Sequence, residues 1–405
     1  MYPHLPDAPS PLPSALCPPG PNTSPCFATF DAPRPNTSSC FATFDASFPP
    51  LENSPSPFIS QAWESRLSLY PGKLPTHIIG ILTYGCQVGY SGPFAFILSK
   101  NLMSSKLDPK VITSQLHDDL LRGRVVQVLP VSPFISSPLG LVPKHDGGFR
   151  LIQHLSFPTG NSVNDFIPRE ASNLVYLKLE EVFQMVLAAG HGCVIMKRDI
   201  KDAFRNIPVA PQWRWLLGFH WGNNYYTETC LPFGLATAPF IFNLFAEAFH
   251  WIVLTHLRWR FFCHYLDDFL AIFSAAVATA SFIASRRQEH IALTDELGIP
   301  RKDSKDREGT TAEALGIGVD MILREARLSP AKLTKAITAV NAVLLQESLS
   351  LRDAQVLAGY LSFCAKVVRL GRMFLSEMWT FIASFRLSDH PLSICRIPPT
   401  LRLDL

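Results

Sequence analysis

Apolar and polar positions follow one another along this chain with periods that change several times, and each change marks an element. Aromatic anchors at Phe58, Trp63 and Tyr70 open the structured chain, and ITSQLHDDLLRGRV, from Ile112, has helical spacing. After Ser137 the pattern shortens to LGLVPK, HDGG and FRLI, which reads as a β-hairpin turning at Asp146, Gly147 and Gly148. Lys144 and Arg150 then stand near one hairpin tip. GCVIMKRDI has the β-branched, apolar character of a central strand, and Asp199 ends it. Phe242, Phe245 and Phe249 recur at i, i+3 and i+7, predicting an amphipathic helix over 239–249 with Ala238-Pro239 at its start.

FFCHYLDDFLAIF (261–273) is apolar on both sides of two acids, so it predicts two strands joined by a tight turn of Tyr265, Leu266, Asp267 and Asp268. The Ala-rich segment after Ser274 reads as a helix closing at Leu297-Gly298. Beyond Leu315 the chain reads as helical: Ser329-Pro330 is a start signal, Leu333, Ile337, Val340 and Leu344 keep helical spacing, and Ser350 with Asp353 caps a further helix through Phe363. The longest uncharged stretch, 76–99, is interrupted by Gly80, Gly85, Gly89, Gly92 and Pro93. It reads as buried soluble structure rather than a membrane span.

Composition narrows the class. With 405 residues, 47% hydrophobic and only 17% charged, the chain has enough apolar surface for two or three folded units, which excludes wholesale disorder and a disulfide mini-scaffold. A net charge of +3 leaves any contact with nucleic acid to local basic patches. The nine cysteines show no C-x-x-C and no zinc spacing, so reduced thiols are expected. The Pro/Ser-rich stretch before residue 58 reads as a disordered arm, within which PNTSPCFATFDA recurs as PNTSSCFATFDA. Two copies do not make a solenoid, and the sequons at Asn22 and Asn36 are read as chance. No secretion signal is present, so an intracellular site, cytoplasm or nucleus, is expected. The organisation expected is an arm (1–57), an N-terminal extension (58–136), a central region (137–320) and a helical C-terminal region (321–405).

Three carboxylates carry the candidate chemistry. Asp199, Asp267 and Asp268 each border a hydrophobic strand; singly, one is a helix cap and two are a turn, but on neighbouring strands they would converge. Such a cluster repels itself unless hard cations neutralise it, and Mg²⁺ takes carboxylates together with phosphate oxygens and water. Two ions bridged by these acids would suit phosphoryl transfer.

In order, VPKHDGGFRLI, DIKDAF, LPFGLATAPF, YLDD and ALGIGVD resemble the reverse transcriptase domain of retroviruses and long-terminal-repeat-type retrotransposons, and SPLGLVPKHDGGFRLIQHLSFPTGNSVND is similar to DIRS-like elements. The resemblance covers roughly 63–378. It implies an α+β right-hand polymerase with fingers, a palm sheet carrying the acids, and a helical thumb. Asp199 and Asp267 would be the principal metal ligands, Asp268 the third catalytic carboxylate, and the Ile200 carbonyl a lesser ligand. Phe204 would lie beneath the sugar of the incoming nucleotide and exclude a 2′-hydroxyl. Lys144 and Arg150 would hold the triphosphate, as a point charge and a bidentate fork. Phe233 and Gly234 would pack against nucleotide and template, with Tyr265 beside them in the catalytic turn. Lys305 aligns with the lysine that assists pyrophosphate departure, with Lys302 competing. Leu315 to Asp320 would support the primer end, and Lys332, Lys335, Lys366, Arg369 and Arg372 would follow a duplex backbone.

The implied activity is RNA-directed DNA polymerisation with two Mg²⁺ ions, Mn²⁺ being a substitute. The implied partners are an RNA template, a DNA primer and deoxynucleotides, with no membrane. Ribonuclease H and recombinase or integrase functions are expected from elsewhere, and a fragment, a degenerate copy or one product of a split element would each fit. A decayed or domesticated copy that binds RNA without polymerising is the alternative, followed by an intron maturase or telomerase-like polymerase. Template, primer and oligomeric state stay open.

Overall fold

The apolar strands bordered by acids meet in one antiparallel sheet: β1 (Val194–Asp199), β2 (Phe261–Tyr265), β3 (Asp268–Phe273) and β4 (Arg307–Gly309), in the spatial order β4-β1-β3-β2. The structure is a computed structural model that describes residues 42–144, 147–386 and 390–405. The chain divides into Met1–Arg34 and Pro35–Leu405, and everything below concerns the second unit.

β2, β3 and the first half of β1 read as continuous apolar runs because both faces of the sheet are covered there. On one face Met196, Phe262, Phe269 and Ala271 pack with the helix Ala238–Ile252; on the other Ile195, Cys263, Leu270 and Ile272 pack with the helix Leu179–Ala189. The Ala238–Ile252 helix differs from its expected amphipathic form. Phe240, Phe242, Phe245 and Phe249 are all buried, as are Asn243 and His250, because the helix runs between the sheet and the helices Ser60–Leu67 and Leu74–Tyr84. With its π-helical extension to Leu257 it is long and apolar enough to cross a membrane, yet most of it is buried within the protein. The uncharged 76–99 stretch supplies core too, through Ile78, Ile81 and Val88.

Packing begins upstream of Phe58. Thr43 Oγ1 lies 2.7 Å from His77 Nδ1, Phe44 stacks on Tyr84 at 6.0 Å, and the Leu51 N–H donates to the Thr83 carbonyl at 2.8 Å. Gly80 makes room for the Phe44 ring, which a Cβ there would meet at 2.5 Å. Residues 1–41, with both sequons, the first repeat copy and the start of the second, lie outside the described residues; Thr43 and Phe44 belong to the end of the second copy.

The fingers contain a five-stranded sheet and the hairpin of Leu139–Pro143 with Phe149–Gln153, whose expected turn residue Asp146 lies outside the described residues while Gly147 has φ +83°. The helix Pro109–Leu121 is capped by the Asp108 side chain and stops before RGRV, because Gly123 at φ +66° turns the chain into the strand Val125–Val128. The expectation of helix beyond Leu315 fails first: Thr311–Ala314, Ile317–Asp320 and Glu325–Arg327 form a three-stranded sheet, with Leu315 (φ +49°) and Gly316 (φ +80°) making a tight hairpin turn. The helix Pro330–Leu344 does form, but Leu333 and Ile337 of its apolar stripe are 48% and 53% exposed while Ala336 and Val343 are buried. Leu351–Cys364 follows, capped by Ser350, whose Oγ accepts the Asp353 N–H. Leu357, Ala358, Met378, Phe381 and Leu401 make a separate C-terminal core. The architecture is α+β, arranged as fingers, palm and thumb.

Candidate active site

Register brings the acids together. β1 and β3 pair antiparallel with Asp268 opposite Asp199, and β3 pairs with β2 so that Asp268 is also opposite Tyr265. Leu266 and Asp267 alone make the turn, with Leu266 held at φ +52°. The Asp267 carbonyl accepts the Ile200 N–H at 3.2 Å, which ties the turn to the end of β1. The same strand end anchors the next loop: Lys302 N–H donates to the Asp199 carbonyl at 3.1 Å, and Lys201 N–H to that of Pro300 at 2.9 Å.

Two lysines bind the carboxylates. Lys305 Nζ is 2.9 Å from Asp199 Oδ2, whose side chain is only 4% exposed, and Lys197 Nζ is 2.9 Å from Asp268 Oδ2. Of the two competing lysines, Lys305 therefore reaches a carboxylate; Lys302 contributes its backbone N–H and lines the same cleft. Burial raises the Asp267 carboxyl above its ordinary pKa, and the charges of Asp199 and Asp268 raise it further against the pull of Lys305. The hydrogen bond to Asp199 raises Lys305 in turn. Three acids against two lysines leave a negative, oxygen-rich point, which is the donor set a hard divalent ion takes.

A cleft of about 500 Å³ opens from this point and is lined by Asp199, Ile200, Asp267, Lys302 and Lys305 on the palm side and by Lys144 and Arg150 on the finger side. Its floor includes Phe204, on the 3₁₀ turn Ala203–Asn206, 5.3 Å centroid to centroid from Phe233 and 5.7 Å from Phe242. Asp268, Gly234 and Tyr265 are not part of the lining. Tyr265 instead packs on Tyr176 at 5.2 Å. Gly234 has φ +98°, and a Cβ there would come within 2.8 Å of the Gln153 carbonyl.

Several supporting residues carried no sequence signal. Asn164 holds the LPFG loop from both ends of its amide: Nδ2 donates to the Gly234 carbonyl at 2.8 Å, and Oδ1 accepts the Ala236 N–H at 2.9 Å. Arg205, next to Phe204, is buried between Glu228 and Asp119. Arg124 reaches Asp202 at 2.9 Å. Lys197 is the other addition, two positions before Asp199 on the same strand face. In the thumb, Lys332 is bound to Glu313 Oε1 and the Gly316 carbonyl, both at 2.6 Å, so it ties the helix Pro330–Leu344 to the 311–320 hairpin rather than standing free for a duplex. Lys335 lies over the Tyr360 ring, while Lys366, Arg369 and Arg372 are exposed.

A model of the reverse transcriptase (RNA-dependent DNA polymerase) family matches residues 142–295. Among solved structures, the chain is similar to foamy viral protease-reverse transcriptase in complex with an RNA/DNA hybrid, at 16% identity and a TM-score of 0.53, over 74% of this chain and 36% of that one. It is similar also to the dRH form of that protein with ds DNA (15%, TM-score 0.54, 83% and 56%) and to the protein with dsDNA (16%, TM-score 0.51, 80% and 66%). This chain thus spans between about one third and two thirds of their length, and at such identities the likeness is one of fold. The matched family uses divalent metal ions, which the carboxylates of Asp199, Asp267 and Asp268 suit as oxygen donors. The segment matched by the reverse transcriptase family model, 142–295, runs from the finger hairpin through β1 and the Tyr265–Asp268 turn, and so contains all three carboxylates.

Proposed function

We propose that this chain is an RNA-directed DNA polymerase of a DIRS-like or long-terminal-repeat-type retrotransposon, extending a DNA primer paired to an RNA template. The observation that carries the reading is the register of Asp268 against Asp199 at the mouth of a cleft whose other wall bears Lys144 and Arg150. The retrotransposon assignment draws on Phe233 in LPFG, where lentiviral enzymes carry glutamine.

In this reading Lys144 and Arg150 grip the triphosphate of a deoxynucleotide, and the Phe204 ring, backed by Phe233 and Phe242, fills the space a 2′-hydroxyl would need. Asp199, Asp267 and Asp268, with the Ile200 carbonyl, would hold two Mg²⁺ ions, which when bound lower the pKa of a primer 3′-hydroxyl and neutralise the leaving pyrophosphate. Lys305 Nζ, at the cleft wall, donates a proton to the pyrophosphate side. Lys197 stays on Asp268 and limits repulsion within the cluster. The rate gain comes from positioning and charge neutralisation, with no covalent enzyme intermediate. Exposed Lys366, Arg369 and Arg372 follow the duplex backbone without reading sequence. The test is primer extension on an RNA template with Mg²⁺ or Mn²⁺. Metal-dependent incorporation that is lost in Asp199→Asn supports the reading, and RNA binding without incorporation under either metal overturns it.

A further inference from the structure

Beneath the catalytic turn, the interior of the palm holds a second group of titratable side chains that the polymerase chemistry does not use. Glu247 and His250 stand on the helix Ala238–Ile252 and His264 on β2, so one helix and the strand it covers contribute to one cluster. One ligand atom of each residue lies within 4.8 Å of those of the other two. His250 Nδ1 and His264 Nδ1 are 3.0 Å apart, and His264 Nε2 is 3.4 Å from Asn243 Oδ1 and 3.9 Å from Glu247 Oε1. Phe262 and Phe269 wall the two rings.

Protonation arithmetic makes this cluster unusual. Both histidines are buried, which pushes His250 down to about 4 and His264 well below the ordinary imidazole value, so each ring is neutral with one N–H and one lone pair. His264 Nε2 faces the Asn243 amide oxygen, the kind of acceptor that orients a ligating imidazole, and this leaves its Nδ1 free to ligate. His250 Nδ1 stands 3.0 Å away, so without an ion the two nitrogens share one hydrogen bond, and with the His250 proton on Nε2 both lone pairs meet at the point a metal ion would occupy.

We propose that Glu247, His250 and His264 form a binding site for a single transition-metal ion of the zinc type, separate from the three catalytic aspartates. The chemistry fits a borderline cation: two imidazole nitrogens and one carboxylate oxygen, with room for water as a fourth ligand. Tetrahedral ligation at 2.0–2.1 Å sets ligand atoms roughly 3.3 Å apart, close to the separation of the two Nδ1 atoms. Glu247 is the outermost of the three, with 15% of its side chain exposed, so a turn of that carboxylate closes the site and gives the ion its way in. The bound ion pins the central helix to β2 directly before Tyr265, and so stabilises the strand that carries the catalytic turn.

The experiment uses the full chain bearing Asp199→Asn, Asp267→Asn and Asp268→Asn, which silences the catalytic oxygen site. Co²⁺ titration should saturate at one equivalent with visible ligand-field bands of tetrahedral intensity, and Zn²⁺ should abolish the bands by displacement. His250→Gln or His264→Gln added to that chain should weaken binding by more than about 100-fold. The absence of such bands, or their persistence after both histidine substitutions, overturns the site. If circular dichroism shows that a histidine variant misfolds, the partly exposed Glu247→Gln decides: weaker Co²⁺ binding supports the site, and unchanged binding overturns it. The readout is independent of polymerisation, so the two readings stand or fall separately.

Discussion

Replacing Asp267 with asparagine separates function from stability in opposite directions. The carboxylate sits in the turn between two like charges, Asp199 and Asp268, and is itself partly buried; among the charges acting on it, Lys305 opposes the repulsion. Asparagine keeps the shape and the carbonyl that accepts the Ile200 N–H while removing the charge. In metal-free buffer near pH 8, the substitution should therefore stabilise the chain by about 0.5–2 kcal/mol, the usual gain when active-site strain is relieved. That corresponds to roughly 1–2 °C in Tm per kcal/mol at this chain length. The sign with pH follows from the raised carboxyl: its charge weakens the folded state as pH climbs from about 4, so the Tm difference should open across that range and vanish at acid pH. Polymerisation should fall by at least about 10²–10³-fold, since a charge that holds the metal site is gone. Differential scanning calorimetry with a chelator and steady-state primer extension give the two readouts. Full activity in Asp267→Asn, or a metal-free Tm below wild type at pH 8, would refute the convergence of charge on which the active-site assignment rests.

Phe204→Val should lower the preference for deoxy- over ribonucleotides by about 10–100-fold, read from the two kcat/KM values, at a stability cost of about 1–2 kcal/mol from lost packing on Phe233 and Phe242; unchanged discrimination would remove its gating role. Glu308 on β4 pairs with Arg198 and Arg287, which hold its carboxyl down at about 2. Its contribution is present above the ordinary value of 4.5 and is lost as pH falls from there toward 2, so Glu308→Gln should destabilise by about 1–2 kcal/mol at pH 7, allowing for solvent screening, and by nothing near pH 2. Gly234→Ala should cost about 1–3 kcal/mol in denaturant titration and raise the nucleotide KM, because φ +98° and the Gln153 carbonyl both exclude a Cβ; a neutral substitution would show that the LPFG loop tolerates movement.

Local features of the site were legible, and non-local ones were not, for a physical reason. Asp199 ends a strand whose first half is apolar and Asp267-Asp268 interrupts an apolar run; unpaired acids are costly inside a covered sheet, so both could be placed at strand ends from sequence alone. The pairing of Asp268 with Asp199 is a different kind of fact. A slip of one residue would turn every side chain of β3 to the other face, exchanging Phe269 and Ala271, which meet the central helix, with Leu270 and Ile272, which meet Leu179–Ala189. Both sets are apolar, so the pattern on β3 cannot choose between them, and the choice falls to contacts distant in the chain. Lys305 over Lys302 was undecidable on the same ground: what separates them is the hydrogen bond from Lys302 N–H to the Asp199 carbonyl, which orients the following 3₁₀ turn and delivers Lys305 Nζ to Asp199 Oδ2. Asn164, Lys197 and the Arg205 network escaped because each partner supplies half of an interaction that the sequence shows only as an ordinary polar residue. The helix Pro330–Leu344 errs the other way, since its regular apolar stripe predicts burial, yet Leu333 and Ile337 are exposed. An apolar stripe specifies the helix period, but which face is covered depends on where Lys332 fastens that helix to the 311–320 hairpin.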